Sequence, residues 1–590
     1  MGFTRRDLLK LAGGASAGLV FTPAPWALLR DTAVWSENWP GVPQPARGEI
    51  RTRYTTCTLC PAGCGVRARC VGDQPVSLSG VPEHPASRGA LCPVGLVGHH
   101  LAFCGGRAER PLAHGRPVEL ERALAGIAAA IGACGRGEGV AILDPRPGRA
   151  ASLVYRRFLA TLPNGIYCAP PDAEPYGPFG IDLENTRAIV SFGAPVLENW
   201  LSPGRVLANR PHIRLIQVEP AYSRTASLAD LWMPVPPGGE AAFAAALGRA
   251  LRGESAGAPA DEVARVLLDN QPAIAVGGGM AVAELNTILR SVGRPGGFLR
   301  RRDLQPAANF ATLPDRSIRV LLCEEASAAD PLPWSLIERK LAPGNSVVVA
   351  LTPWRDGYAR HADFTIPAPV YLESIDESPT SAGSTVAGFS LSPALLPAPP
   401  GVTAPADVIL RLAHDSRTYP DILKQRTAAI KEEGRGTLFT YPDAKSARAS
   451  DAASADDLWK AFLTGAVWQD DPIRQSPEGF RIPVAEGGGA LTRSPEYPLA
   501  LIAAGGPPAH GSPLMSKLYR ESGLRRSADT AALHPETGRA QGLDPGCRAV
   551  VKSPTGAFAV QVIFDPAVMP GVIEVSRAGM ALSPANITKG

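Results

Sequence analysis

Four cysteines crowd the front of the chain with the spacing C-x2-C-x3-C-x27-C. Three lie in Cys57-Thr58-Leu59-Cys60-Pro61-Ala62-Gly63-Cys64, and the fourth is Cys92 in Ala90-Leu91-Cys92-Pro93. No other stretch restricts the fold as much. Thiolates are soft ligands, and three on one tight loop grip a metal centre with little further loss of chain entropy. A fourth, arriving from farther along, pins that loop to the rest of the protein. Pro61 and Pro93 stiffen the approach. The pattern points to an iron–sulfur site with four cysteine ligands, of the [4Fe–4S] type. Two alternatives stay open at this level. Structural zinc also accepts four cysteines, but usually from two C-x2-C knuckles, and one is present here. Disulfides suit an exported chain, yet cysteines three and four apart on one loop are awkward partners.

At 590 residues the chain is too long for one ordinary core, so several domains are expected. Apolar residues at 45% and charged residues at 19% describe a folded protein rather than a disordered one. The net charge of +4 is mild for this length, and the arginines are scattered, so no nucleic-acid footprint is present. The first thirty residues read as an address. Thr4-Arg5-Arg6-Asp7-Leu8-Leu9-Lys10 places twin arginines before the apolar run Leu11 to Phe21, the pattern of a Tat export signal for folded, cofactor-loaded proteins. The run is too short, and too rich in glycine and alanine, for a transmembrane span. No clean A-x-A cleavage site follows it. The expected location is periplasmic, with membrane association through partners or through an uncleaved signal.

Six segments are expected: the signal (1–30), a proline-rich linker (31–49), a cluster domain (50–108), an α/β body (109–430), an irregular linker (431–495) and a carboxyl-terminal β-barrel (496–590). Within the body, Leu120, Leu124, Ile127 and Ile131 recur at helical spacing. Strands are read at Gly139–Leu143, Arg187–Phe192, Ile213–Val218, Ala273–Val276, Ile318–Leu322 and Ser346–Ala350. Helices are read at Ala151–Leu162, Glu240–Leu251, Ala281–Val292 and Pro333–Leu341. Short apolar strands alternating with helices imply parallel sheets covered on both faces. Near the carboxyl end, Val550–Lys552 and Phe558–Phe564 around Ser553-Pro554-Thr555-Gly556 read as a hairpin, with a further strand at Val572–Val575.

In open parallel sheets, ligands sit where loops leave the carboxyl ends of strands. The loops that stand out contain Gly193, Glu219 with Thr225 and Asp230, Gly238, and Gly278. Glycines let a backbone approach a diphosphate, and an acidic side chain just past a strand can hold a ribose or a guanine edge. Each loop alone is a weak signal.

The segment from Cys57 to Gly95, ending in Glu83-His84-Pro85-Ala86-Ser87-Arg88-Gly89-Ala90-Leu91-Cys92-Pro93-Val94-Gly95, resembles the amino-terminal iron–sulfur domain of the molybdopterin oxidoreductase family. The order of Ile216–Pro220, Leu228–Asp230, Pro237–Glu240, Gly277–Gly279 and Gly293–Gly297 is similar to that family's dinucleotide-binding segments, and Tyr497 to Val572 is similar to its terminal barrel. The resemblance implies an α/β body in two lobes, a six-stranded-type barrel, a 4Fe-4S cluster, and a molybdenum bis-molybdopterin guanine dinucleotide centre. Gly193, Glu219, Thr225, Asp230, Gly238 and Gly278 would then contact the pterin dinucleotide. It also implies partners: an iron–sulfur electron-transfer subunit, together with an integral membrane subunit that handles quinone.

The chain departs from the family pattern where its chemistry would occur. Val94 stands where many members carry a lysine between cluster and pterin. The Gly193-Ala194-Pro195 loop lacks the usual asparagine, and Glu219-Pro220-Ala221 replaces a frequent Asp-Pro-Arg. The loop that would supply a metal ligand is short, Gly165 to Asp172, and Cys168 is its one thiol; an ordinary buried cysteine is the favoured reading. Two roles follow: an exported iron–sulfur oxidoreductase passing electrons in a respiratory complex, or a non-catalytic conduit and scaffold that has lost the molybdenum centre. The segment Tyr371-Leu372-Glu373-Ser374 to Leu391-Ser392-Pro393 resembles the second branch, found in alternative complex III and menaquinone reductase complexes.

Overall fold

The computed structural model describes residues 48–590 apart from 136, 171–177, 198–200, 303–306, 326–331, 476–490, 504–528, 555 and 576–581. The expected signal and most of the first linker lie outside the described residues. In the cluster domain, strands Ile50–Thr56, Gly65–Val71 and Gln74–Gly80 form an antiparallel sheet. Val66, Ala68 and Cys70 alternate inward along the middle strand while Arg67 and Arg69 face water, as a half-buried strand requires.

The body has the two expected lobes. In the larger, an eight-stranded sheet is centred on Gly139–Leu143, Ile318–Glu324 and Val347–Thr352. The pairings of Ile318–Glu324 with its two neighbours are parallel. In the smaller, Leu231–Met233, Arg214–Val218, Ala188–Phe192 and Ala273–Gly277 run parallel in that spatial order. Helices Glu240–Leu251, Ala258–Asp269 and Met280–Ile288 pack their apolar stripes on this sheet. The last of these is shorter than its periodicity suggests. Arg290 takes a left-handed φ of 55°, and the Ser291 hydroxyl turns back onto Asn286, so the helix stops before Gly293.

Two expectations need correction. The stretch 431–495 is not a linker throughout. Thr437–Thr440, Lys445–Arg448 and Val467–Gln469 join Asp376–Ser378 and Gly388–Ser392 in a five-stranded antiparallel sheet, and helix Ala455–Leu463 packs beneath it. Trp468, fully buried, anchors this unit to the body core. The small polar run 444–454 hid it because these residues sit on an edge strand and its turn, where side chains face solvent. The second correction concerns Cys168, which lies in a strand, Gly165–Ala169, rather than in a loop. At the carboxyl end, six strands close into a barrel, including Arg548–Ser553, Gly556–Phe564 and Val572–Val575.

Candidate functional site

The cluster loop starts where the first strand ends. Cys57 N–H donates to the Cys64 carbonyl at 2.8 Å and closes the loop, while Ala382 N–H donates to the Pro61 carbonyl at 2.8 Å and ties it to the body. Cys92 caps the short helix Pro93–Leu96, and its sulfur accepts from Gly95 N–H at 3.4 Å. All four cysteines are free thiols, Cys57 buried and the other three half-buried. They stand close enough for each to feel the others. Burial, then the neighbouring sulfurs, pushes the Cys57, Cys60 and Cys64 thiols well up, while the Leu59 and Ala62 amides donate to Cys57 and Cys60.

Bare, such a nest would stay protonated at neutral pH. A cationic metal centre supplies what holds four thiolates together, and amide N–H groups aimed at sulfur suit a cluster. Among the described residues, no three His, Cys, Asp or Glu side chains approach closely enough to hold a single metal ion. One tetrahedral zinc, with Zn–S near 2.3 Å, needs its sulfurs roughly 4 Å apart. Three thiols on one loop and a fourth at a helix start, in a domain that matches an Fe4S4 model, fit a group with one iron for each cysteine.

Behind the loop lies a charged network that sequence reading missed. Asp144 follows strand Gly139–Leu143, and Glu324 ends strand Ile318–Glu324, so both stand at the carboxyl edge of the large sheet. Arg149 bridges them, donating to Asp144 at 2.8 Å and to Glu324 at 2.6 Å. Arg146 donates to Asp376 at 2.7 Å and to the Thr58 carbonyl at 3.0 Å, which links the network to the cluster loop. Tyr155 donates to Glu324, Tyr167 and Ser152 to Asp144, and Tyr419 to Glu377. Burial alone would push the Asp144 carboxyl up, but Arg149 and the hydroxyls hold it below the usual range. Glu377 goes the other way: burial outweighs its donors and raises it. The available signal was Leu143-Asp144-Pro145-Arg146-Pro147-Gly148-Arg149, charges set among prolines just past a buried strand. A cavity of about 40 Å³ lies between network and loop, lined by Thr58, Leu59, Arg146, Glu324 and Tyr371, among others; it admits a few waters.

The other sequence candidates divide by place. Gly193, Glu219, Thr225, Gly238 and Gly278 all fall at the carboxyl edge of the small sheet. Glu219 is buried, with its carboxylate accepting from Gln217 and from Ser223 N–H, and burial raises its pKa. Thr225 accepts from Leu197 N–H, and a side chain at Gly193 would meet nothing within 4 Å. Asp230 does not belong with them. It sits at the opposite, amino end, paired with Arg210 and Arg214 and accepting from Leu215 N–H, so its role is to tie two strand starts together. Cys168 is also elsewhere: fully buried, it donates to the Ile142 carbonyl at 3.2 Å inside the core. His99, just past Cys92, is buried, and burial, then His100, lowers its pKa to about 4.

Residues 50–102 match the molybdopterin oxidoreductase Fe4S4 domain. Over this domain the chain is similar to the molybdopterin oxidoreductase family. It is 25% identical to the menaquinone reductase, molybdopterin-binding-like subunit, of Nitratidesulfovibrio vulgaris, over 96% of this chain and 92% of that one. Similarity to the formate dehydrogenase-O major subunit of Escherichia coli, 24% identical, covers 41% of this chain and 28% of that protein. The fold is that of acetylene hydratase from Pelobacter acetylenicus, at a TM-score of 0.66 and 15% identity, covering 89% and 93% of the two chains. The matched domain supports a 4Fe-4S cluster, and the similarity to molybdopterin oxidoreductases admits molybdenum bis-molybdopterin guanine dinucleotide as a second cofactor. The cluster fits its residues here. For the dinucleotide, the edge loops of the small sheet fit in part. For the metal, Cys168 does not fit, because its thiol faces the core.

Proposed function

We propose that this chain is an exported iron–sulfur subunit of a membrane quinone-oxidoreductase complex, passing electrons through the cluster at Cys57, Cys60, Cys64 and Cys92. In this reading it acts as conduit and scaffold and does not turn over a substrate at molybdenum. The observation that carries the proposal is end-to-end similarity to a menaquinone reductase subunit, whereas similarity to the formate dehydrogenase subunit is confined to 28% of that protein. Support comes from the carboxyl edge of the large sheet, where Arg146, Arg149, Asp144 and Glu324 neutralise one another and leave room for waters. Its partners would be an iron–sulfur electron-transfer subunit, together with an integral membrane quinone-interacting subunit. In the described residues, no helix is long and apolar enough to cross a membrane. Anchoring would then fall to those partners or to the twin-arginine segment, on the periplasmic face.

A second reading has one observation in its favour: the open glycine loop at Gly193 beside Glu219 and Thr225 keeps part of a dinucleotide site. Elemental analysis of the natively purified protein separates the two. About four irons per chain without molybdenum or tungsten is the result expected of the conduit. A molybdenum-to-protein ratio near one would restore the enzyme.

A further inference from the structure

Tyr371 lies in the segment that follows strand Phe364–Pro367 and leans over the cluster loop. Its ring belongs to the apolar cluster that contains Cys57, Leu59, Val66 and Val94, with Cys64 and Cys92 packed against it. The packing is close. A Cβ added at Gly98 would stand 3.0 Å from ring carbon Cδ1, so the ring lies directly against the Gly98 backbone that follows Cys92. The residue is 5% exposed, and its hydroxyl is buried with no hydrogen-bond partner in the chain. A buried hydroxyl is costly to leave unpaired, so such an atom marks a missing acceptor. The residue beside the last ligand, Val94, has no side-chain donor to offer.

We propose that Tyr371 donates its phenolic hydrogen bond to a sulfur of the cluster and thereby raises the cluster's reduction potential. The inference rests on the cluster reading given above. Reduction adds negative charge to the cluster, so an O–H···S bond strengthens in the reduced state and favours it. Tyr371 is therefore a positioning and tuning residue for electron transfer, and its contact is with the cofactor's sulfur.

The test is an EPR-monitored redox titration of the anaerobically purified full chain, with iron and sulfide counted in each sample. Tyr371→Phe keeps the ring and removes one oxygen. It should keep its iron and lower the reduction equilibrium constant by up to about tenfold, or 59 mV for a one-electron couple. Tyr358→Phe is the control, because that hydroxyl bonds Leu332 away from the cluster, and its midpoint should match the wild type. Equal midpoints for wild type and Tyr371→Phe, each fully loaded with iron, would overturn the proposal. Should Tyr371→Phe lose iron, 3-fluorotyrosine placed at residue 371 gives the answer. It is a stronger donor and should raise the midpoint, and an unmoved midpoint overturns the proposal. A wild type free of iron would instead remove the cluster reading, and this inference with it.

Discussion

His84 shows how one side chain senses pH through burial. Its Nδ1 accepts from the Ala86 and Ser87 amides, and Nε2 is buried without a partner, so the neutral ring is the form the fold holds. Burial lowers its pKa from 6.5 to about 4. The sign follows directly. The unfolded chain binds the proton first, so this contribution is whole above pH 6.5 and drains away as pH falls to 4, by about 3 kcal/mol. His84→Asn keeps an acceptor for the two amides and cannot charge. Urea denaturation followed by cluster absorbance at pH 7 and pH 4 should show the wild type losing clearly more stability than this variant. Equal losses would mean that other groups set the acid sensitivity. The four candidate cysteine ligands were readable in the sequence because their spacing alone singles them out. Arg146, Arg149 and Glu324 were not, since about 175 residues separate Arg149 from its partner, and no local pattern reports a pair closed by the sheet.

At the scale of the element, the cluster loop depends on one backbone angle. Gly63 has φ of 58°, and a Cβ there would stand 2.4 Å from the Ser378 hydroxyl oxygen in the five-stranded sheet. Alanine at this position meets both the left-handed penalty of about 1–2 kcal/mol and a clash with the body. Gly63→Ala should therefore release iron to a chelator several-fold faster than Gly105→Ala, where an added Cβ meets nothing. Matching release rates would show that the loop's seat on the body does not matter. Elements with a clear apolar face or a buried run were legible from their hydrophobic pattern: Glu240–Leu251 and Val572–Val575 end where the pattern says. The sheet at 437–469 escaped notice because its outer strand is polar throughout and only Trp468 betrays a core.

For the whole molecule, the barrel is held by the loop that leaves the small sheet. Tyr222 N–H donates to the Ala567 carbonyl, Met569 N–H donates to the Pro220 carbonyl, and Ala221 packs among Ala500, Ala532, Val568 and Val572. Small residues on both sides let the backbones approach. Ala221→Arg would force a long cation into that contact, at a cost of several kcal/mol. The barrel should then become protease-sensitive while the iron content stays near that of the wild type; joint loss of both would mean that the chain unfolds as one unit. Taken alone, the sequence determined the cysteine motif, the α/β body and the terminal barrel, because cysteine spacing and hydrophobic period are local properties of a chain. Only the tertiary structure decided that Asp230 ties strand starts together, that Cys168 faces the core, and that Tyr371 packs in one apolar cluster with Cys57 while its hydroxyl stays buried and unpaired. Those facts depend on which ends of distant strands meet, and the sheets settle that when they pair.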